Sequence, residues 1–153
     1  HLNQYITPFL PLRPIAFRIK PERDQNNEPW RKQHWWWFGR THEDLRAATA
    51  KASRVIGTTR TAKHRLFSFL GSGVIAESKI VVIGLDDGWH LSALSSRVHE
   101  VFSLAAGGWL GVGNDPTYNH TDCFNPFPFP DPTEAQKAHL RHLGEQLDAH
   151  RKA

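Results

Sequence analysis

Apolar residues recur at helical spacing in two internal segments of the chain. Residues 41–53 place Leu45, Ala48 and Ala52 on one face, and Thr41 followed by Asp44 is a variant of the capping box that begins a helix. Residues 92–106 keep the same period over about four turns, with apolar side chains at Leu94, Val98, Val101, Phe102 and Ala105. Both segments are therefore predicted to be helices that pack against a core.

Short runs of β-branched and apolar residues occur between these two helices. Residues 54–59, 66–70 and 79–85 have the composition of strands, and a Gly-Ser-Gly turn follows the second run. Near the N-terminus, residues 15–19 are predicted to be a short edge strand, because the prolines around them exclude a central one. The polar residues 21–27 that follow are predicted to be a loop. Three or four strands make a small, mostly antiparallel sheet.

The last third of the chain is predicted to be a long loop followed by a helix. Residues 107–130 have neither period and are rich in glycine, proline and asparagine, and long ordered loops in compact domains are usually functional. A helix then begins with Asp131 as N-cap, Pro132 at the first helical position and Glu134 at the third.

This last helix carries a narrow apolar stripe of Leu140, Leu143 and Leu147. The stripe would dock on a neighbouring part of a longer protein or on the domain's own sheet, and the sheet is favoured. At 153 residues the chain fits one hydrophobic core. We therefore expect a single α+β domain over residues 1–153, a small sheet flanked by helices, with a C-terminal connecting helix over residues 131–153. The abrupt start and the lack of methionine suggest a piece of a longer protein.

Charge and cysteine content restrict the partners and the compartment. A formal net charge of +4 with ten histidines modestly favours an anionic partner such as a phosphate backbone. The single cysteine, Cys123, excludes an intrachain disulfide and a thiolate zinc cluster. Because no segment has membrane-spanning length or a signal-peptide pattern, we expect a cytoplasmic protein without membrane contact.

Two short segments imitate methyltransferase motifs. Residues 69–73, Phe-Leu-Gly-Ser-Gly, match the pattern of an S-adenosylmethionine loop, and Asn125-Pro126-Phe127 is similar to the Asn-Pro-Pro-aromatic motif of amino-methyltransferases. The first motif requires a helix and a crossover of about a dozen residues before a parallel strand, and only residues 74–78 are available. The second lies in a Pro-Phe-Pro-Phe-Pro run whose aromatic residues favour packing. Both motifs are therefore disfavoured as functional sites. A complete small S-adenosylmethionine-dependent methyltransferase built on them remains the alternative.

The sequence predicts neither a catalytic nor a metal site in this chain. His139 and His142 lie one turn apart on the last helix, but no second cluster at ligand spacing completes a metal site. Ser95, His99 and Asp122 have the residue types of a hydrolase triad without geometry to support one.

Tryptophan is concentrated at Trp30 and in residues 34–38, His-Trp-Trp-Trp-Phe. Packing in a core or between domains is favoured over base stacking, because stacking serves mainly single strands and flipped bases. A protein-interaction module that uses this Trp cluster and the leucine stripe is a further alternative.

Four segments occur in the order of one protein family. They are Trp-Phe-Gly-Arg at residues 37–40 with Leu-Arg at 45–46, Arg-Thr-Ala-Lys-His-Arg-Leu-Phe at 60–67, Leu-Ser-Ser-Arg-Val-His-Glu at 94–100, and Thr-Asp-Cys-Phe-Asn-Pro-Phe-Pro-Phe-Pro at 121–130. Together they resemble the target-recognition domain of type IIL (MmeI-type) restriction-modification adenine-specific DNA methyltransferases, whose corresponding region ends in a similar Phe-Pro-aromatic-Pro segment.

The resemblance implies a sequence-specific DNA recognition domain of a bacterial site-specific adenine-N6 DNA methyltransferase, not catalytic by itself. In such enzymes a separate catalytic domain binds S-adenosylmethionine and flips the target adenine. The expected partners are therefore double-stranded DNA and the catalytic methyltransferase domain of the same parent chain. No cofactor is expected in this fragment.

Two segments correspond to the positions where the family makes its specificity contacts, residues 61–64 and residues 113–118. Relatives often have Glu, Arg or Lys in the second segment, where this chain has Gly113, Asp115 and Thr117. By the donor and acceptor types of their side chains, the expected base-reading residues are Thr61, Lys63, His64, Asn114, Asp115 and Thr117. The expected phosphate contacts are four arginines, Arg54, Arg60, Arg65 and Arg97. For Arg97, a buried pair with Glu100 or with an acidic turn residue is the competing explanation.

Overall fold

The computed structural model describes residues 12–36, 43–110 and 115–153. The chain divides into two compact units, His1–Glu43 and Asp44–Ala153. The predicted helix cap at Thr41, the segment at residues 37–40 and the predicted base reader Asn114 lie outside the described residues.

The described part of the first unit is helical, with α1 at Leu12–Asp24 and α2 at Pro29–Gln33. The predicted edge strand at residues 15–19 is therefore wrong, and the predicted loop at residues 21–27 is helical as far as Asp24. Pro14 lies in the first turn of α1, where the backbone N–H groups have no helical partner, so proline costs little there. The sequence interpretation considered only a strand for this segment and took its prolines to restrict that strand to an edge.

Part of the Trp cluster packs within this first unit. Trp35 is only 8% exposed and meets Trp36 edge to face at 5.7 Å between ring centroids. His34 stacks on Trp30 at 4.8 Å. The favoured interpretation of packing therefore fits Trp35, whereas Trp30 and Trp36 remain 42% and 49% exposed.

The second unit contains a three-stranded antiparallel sheet in the order β2–β1–β3. The strands are β1 at Arg54–Thr59, β2 at Ser68–Gly71 and β3 at Ile80–Ile83. β1 lies in the centre, and Ile56 faces Phe69 on one side and Ile83 on the other. The predicted α+β class with a small antiparallel sheet is confirmed.

Three helices accompany this sheet in the described residues, α3 at Glu43–Thr49, α4 at Gly88–Leu94 and α5 at Arg97–Ala106. The single helix predicted over residues 92–106 is therefore two helices. Ser96 separates them, because its side chain caps α5 by accepting a hydrogen bond from the His99 N–H.

A long helix, α6 at Glu134–Lys152, completes the unit. Its N-cap is Thr133, not Asp131, and Thr133 and Gln136 form a reciprocal capping box. The sequence interpretation placed the cap two residues too early, because Pro132 also fits the first helical position.

α6 docks inside the domain, chiefly on α4 and also on β2. The contact passes through Gly144, where an added Cβ would lie 2.0 Å from the carbonyl oxygen of Gly88 on α4. Leu143, a member of the predicted stripe, is 43% exposed. The buried residues of α6 are therefore Gly144 and Asp148. The lack of a side chain at Gly144 lets the backbones of α6 and α4 approach closely.

Hydrogen bonds and ion pairs connect α6 to the sheet. Asp148 is buried, and its Oδ1 accepts hydrogen bonds from the Ser68 hydroxyl and the Phe69 N–H, both at 2.8 Å. Lys152 on the next turn contacts Oδ2 at 2.6 Å. This buried carboxylate holds the C-terminal helix against β2.

The core lies under the sheet and also includes part of the region that was predicted to be a loop. Tyr118 and Cys123 are fully buried in it with Ile56, Phe67 and Leu91. Phe127 is also buried, and Phe129 packs against the core. The prediction that the Pro-Phe-Pro-Phe-Pro run uses its aromatic residues for packing is confirmed.

The predicted loop over residues 107–130 contains local structure. Strands β4 at Trp109–Leu110 and β5 at Asp115–Pro116 pair in antiparallel fashion, and a π-helical turn follows at His120–Phe124. The methyltransferase look-alike at residues 69–73 runs from β2 into a turn, not from a strand into a helix. It therefore lacks the geometry of a cofactor loop.

Candidate nucleic-acid interface

The two segments that were predicted to read bases lie side by side in the second unit. Thr61 and Thr117 form an antiparallel bridge. On either side of it, the Tyr118 N–H donates to the Arg60 carbonyl at 2.7 Å and the Ala62 N–H donates to the Pro116 carbonyl at 3.3 Å. Residues 60–62, which follow β1, are thus paired through the backbone with residues 116–118. We call residues 60–64 and 115–118 the paired segments.

Arg65 links the two paired segments to the end of β1. Its Nη2 donates to the Pro116 carbonyl at 3.1 Å, and its Nη1 donates to the Thr58 hydroxyl at 3.3 Å and to the Thr59 carbonyl. Its guanidinium carbon lies 5.1 Å from the centre of the Tyr118 ring. Arg65 therefore positions the second segment against the first.

Arg65 also brings positive charge into the site. Every acceptor that it contacts among the described residues is neutral, and burial lowers the pKa of its guanidinium from the ordinary value. An arginine nevertheless stays protonated in proteins. Its charge is not cancelled by a carboxylate, so it adds to the attraction for an anion at this end of the domain.

The antiparallel pair of β4 and β5, which we call the hairpin, is packed closely against the end of α5. The Thr117 N–H donates to the Gly108 carbonyl at 2.8 Å. An added Cβ at Gly107 would lie 2.5 Å from the Thr117 carbonyl oxygen and 3.0 Å from the Cys123 sulfur. Only glycine permits this close approach, which holds the second paired segment against the end of α5.

A buried His99–Tyr118 pair lies under the same segment. The Tyr118 hydroxyl and His99 Nε2 are 2.9 Å apart, and both residues are 0% exposed. Burial raises the pKa of Tyr118 and, with the nearby charge of Arg65, lowers the pKa of His99 to about 4. Both groups are therefore neutral at physiological pH. The pair supports the site through packing and a hydrogen bond.

The structure does not bring the hydrolase-type residues together. His99 is engaged with Tyr118, Ser95 accepts a hydrogen bond from Arg151 at 3.2 Å, and Asp122 accepts one from Asn119 at 2.8 Å. No group of three or more potential metal ligands occurs among the described residues. The described side chains thus assemble no triad from these residues.

Exposed cations surround the paired segments. Arg60 and Lys63 are exposed on the first segment, as is His64. Lys79 is exposed at the start of β3, and its carbonyl accepts the Arg60 N–H at 2.6 Å. We call Arg60, Lys63 and Lys79 the basic rim. Lys79 was missed by the sequence interpretation, although it is the first residue of the strand predicted over residues 79–85, and a cation at the end of a strand was the signal available.

The other predicted base readers differ in exposure. Asp115 is exposed on β5, whereas Thr61 and Thr117 are half-buried at the bridge. On β4, Leu110 is opposite Asp115 and Trp109 is opposite Pro116, and they are 63% and 57% exposed. The sequence interpretation predicted a loop for residues 107–130 and therefore missed this exposed apolar pair. Strands of two residues are too short to show an alternating pattern.

Two predicted phosphate contacts lie away from the paired segments. Arg54 is at the other end of β1, where it forms a two-point ion pair with Glu145 at 2.5 and 2.8 Å and lies over the Phe69 ring. Arg97 begins α5, roughly 15 Å along the helix from Gly107. It contacts Glu100 at 3.0 Å with its side chain 82% exposed, so the pair is not the buried one considered from the sequence.

Comparisons with known proteins add no assignment. No known protein family, curated protein or solved structure matches the chain. None of the helices in the described segments has both the length and the apolar character needed to cross a bilayer.

Proposed function

We propose that this chain is the sequence-specific DNA recognition domain of a bacterial adenine-N6 DNA methyltransferase of a restriction-modification system. The observation that carries the proposal is the backbone pairing of the two segments through Thr61 and Thr117. Residues 61–64 and 113–118 were selected as base readers because each corresponds to a specificity region of the family. Their adjacency supports the assignment, because base readers must act on one stretch of DNA.

The shape of the site suits the major groove of DNA. Strands in a ribbon lie about 4.8 Å apart, and a major groove about 12 Å wide admits a two-stranded ribbon. The two paired segments form such a ribbon at the end of the sheet, and β4 pairs along the other side of residues 115 and 116. Arg65, Gly107 and the His99–Tyr118 pair hold it on the core, and rigid support is what a reading loop needs.

The exposed side chains have chemistry suited to both kinds of DNA contact. Lys63 can donate to guanine, and Asp115 can accept from the amino group of cytosine. His64 and the methyl groups of Thr61 and Thr117 complete the reading set, together with Asn114. In the proposal Arg60 and Lys79 contact phosphates, which position the protein without reading sequence.

Exposed apolar residues favour a protein partner beside the DNA. Val98 and Val101 on α5 are exposed, as are Trp109 and Leu110 on the hairpin. In the proposal this surface faces the catalytic domain of the same parent chain, which holds S-adenosylmethionine and flips the adenine. The division of labour predicts that this chain alone does not bind S-adenosylmethionine at micromolar concentration, which isothermal titration would test.

Sequencing of methylated DNA tests the proposal directly. Cells expressing the full-length methyltransferase would carry the wild-type domain, Asp115→Arg, Lys63→Ala or the control Lys51→Ala. We expect a changed methylated motif for Asp115→Arg, relaxed preference at one position for Lys63→Ala, and the wild-type motif for Lys51→Ala. An unchanged motif in both site variants, with methylation retained, would contradict the proposed reading role.

A further inference from the structure

An open aromatic cleft of about 500 Å³ lies between α4, the segment after β3, and the π-helical turn with the chain that follows it. It shares no residue with the paired segments. Its volume falls within the range of small-molecule sites. The cleft is lined by Leu85, Trp89, His90, Phe124, Asn125 and Phe129.

The aromatic rings of this cleft fix one another in different planes. Phe129 meets Trp89 edge to face at 6.4 Å and 86°, and meets Phe124 at 5.7 Å and 69°. The rings of Trp89 and His90 lie 3.8 Å apart. A planar guest can therefore stack on one ring and contact the edge of another, which is how proteins hold nucleobases.

Two polar side chains belong to the lining, and the Asn125 amide is the one available to a guest. Asn125 is exposed, and its backbone N–H is fixed by the His120 carbonyl at 2.7 Å, while its side-chain amide has no hydrogen bond to a described residue. His90 Nδ1 is buried without a hydrogen-bond partner among the described residues.

The charge of the cleft favours a neutral guest. None of the six lining residues carries a carboxylate, ammonium or guanidinium group. Burial is the largest influence on His90 and lowers its pKa, against the opposing effect of Asp87 and Asp86 and with a small contribution from Lys137. The imidazole is therefore neutral near pH 7.

We propose that this cleft binds a nucleobase, stacked on its aromatic rings and hydrogen-bonded through the Asn125 amide. Adenine is the best match, because an asparagine amide pairs with the adjacent donor and acceptor of adenine N6 and N7. Two sources supply this chemistry, a free nucleoside and an unstacked base of DNA. The inference does not require the proposed recognition of duplex DNA, because the two sites have no residue in common.

Nuclear magnetic resonance titration of the ¹⁵N-labelled chain tests this site. Adenosine is expected to shift the Trp89 indole, the His90 ring and the Asn125 side-chain amide in a saturable way. Asn125→Ala should weaken binding about tenfold, the effect of losing one good base contact. Indole, which is planar but lacks the matching edge, should bind no better than the variant binds adenosine. Lys51→Ala, at an exposed residue that belongs to neither site, serves as the control and should leave adenosine binding unchanged.

Two oligonucleotide duplexes then identify the source of the base. One has an unpaired adenine opposite an abasic site, and the other is fully paired. Shifts in the cleft with adenosine and with the unpaired adenine, but not with the paired duplex, indicate a site for an unstacked base, whereas shifts with adenosine alone indicate a nucleoside site. Absence of saturable shifts with every probe, or equal binding by Asn125→Ala, would overturn the inference. Neither result would affect the test of the paired segments by methylated motif.

Discussion

The basic rim offers a quantitative test of DNA binding. Arg60, Lys63 and Lys79 are exposed at one end of the sheet, and the Arg60 N–H lies 2.6 Å from the Lys79 carbonyl. None of the three takes part in an ion pair with a described residue. On a duplex of arbitrary sequence Lys63 has no specific base to contact, so all three charges are available to phosphates there. Replacing all three by alanine should weaken this binding without loss of a packing contact.

The magnitude follows from counterion release. Each phosphate that is neutralised contributes about 0.9 to the slope of log affinity against log salt concentration, so the triple variant should lose about 2.7 of that slope. Between about 50 and 200 mM salt, the three contacts together account for roughly a 40-fold change in affinity. Fluorescence anisotropy with a labelled duplex of arbitrary sequence measures the slope directly.

Lys51→Ala is the matched control for this experiment. Lys51 is exposed just before β1, and the basic rim lies at the other end of this six-residue strand, roughly 20 Å away. Lys51→Ala removes one positive charge from the protein, as each substitution in the basic rim does. We expect it to leave the slope unchanged. A triple variant with the wild-type slope, or an equal loss per charge in Lys51→Ala, would refute the assignment of the rim to DNA.

Three further predictions concern the attachment of α6. Asp148→Ala leaves the buried Phe69 N–H without its 2.8 Å acceptor and should lower the free energy of unfolding by about 1–3 kcal/mol; an unchanged urea midpoint would contradict this. Gly144→Ala places a Cβ 2.0 Å from a backbone oxygen of α4 and should cost about 1–3 kcal/mol, measured by thermal unfolding; a wild-type transition would exclude the close crossing. The hydrogen bond from Arg141 holds the pKa of Asp87 below its ordinary value, so its stabilisation is present above about pH 4 and lost as the pH falls through the folded pKa. Asp87→Asn should therefore flatten the urea midpoint between about pH 6 and 3, and an equally steep profile would count against it.

The central sheet could be predicted because its signal is local. The predicted run at residues 54–59 matches β1 residue for residue, the run at 66–70 overlaps β2 in all but its last residue, and the run at 79–85 contains β3. Helix limits were harder, since more than one residue could act as a cap. Ser96 divides one apolar period into two helices, and Thr133 replaces Asp131 as the cap of α6. A capping hydrogen bond is decided by the path of the backbone, which periodicity does not specify.

The arrangement of the candidate site depended on contacts between distant residues. Thr61 and Thr117 were each selected from the sequence, but only the fold shows that they pair. The roles of the arginines were equally hidden. Arg54 binds Glu145, which is 91 residues away, and Arg65 binds Pro116, which is 51 residues away. Nothing in the local sequence distinguishes these structural arginines from the exposed Arg60.

The structure separates residues that hold the site from residues that could read DNA. Arg65 and Gly107 are bonded or packed in place, so their substitution should disturb the hairpin itself. Lys63 and Asp115 are exposed beside them, and substitution of such surface residues usually changes stability by less than about 0.5 kcal/mol. A recognition domain built this way can exchange its readers without losing its fold. The same separation makes the motif-switch experiment informative, because a changed motif in Asp115→Arg would arise from altered contacts to bases and not from a damaged domain.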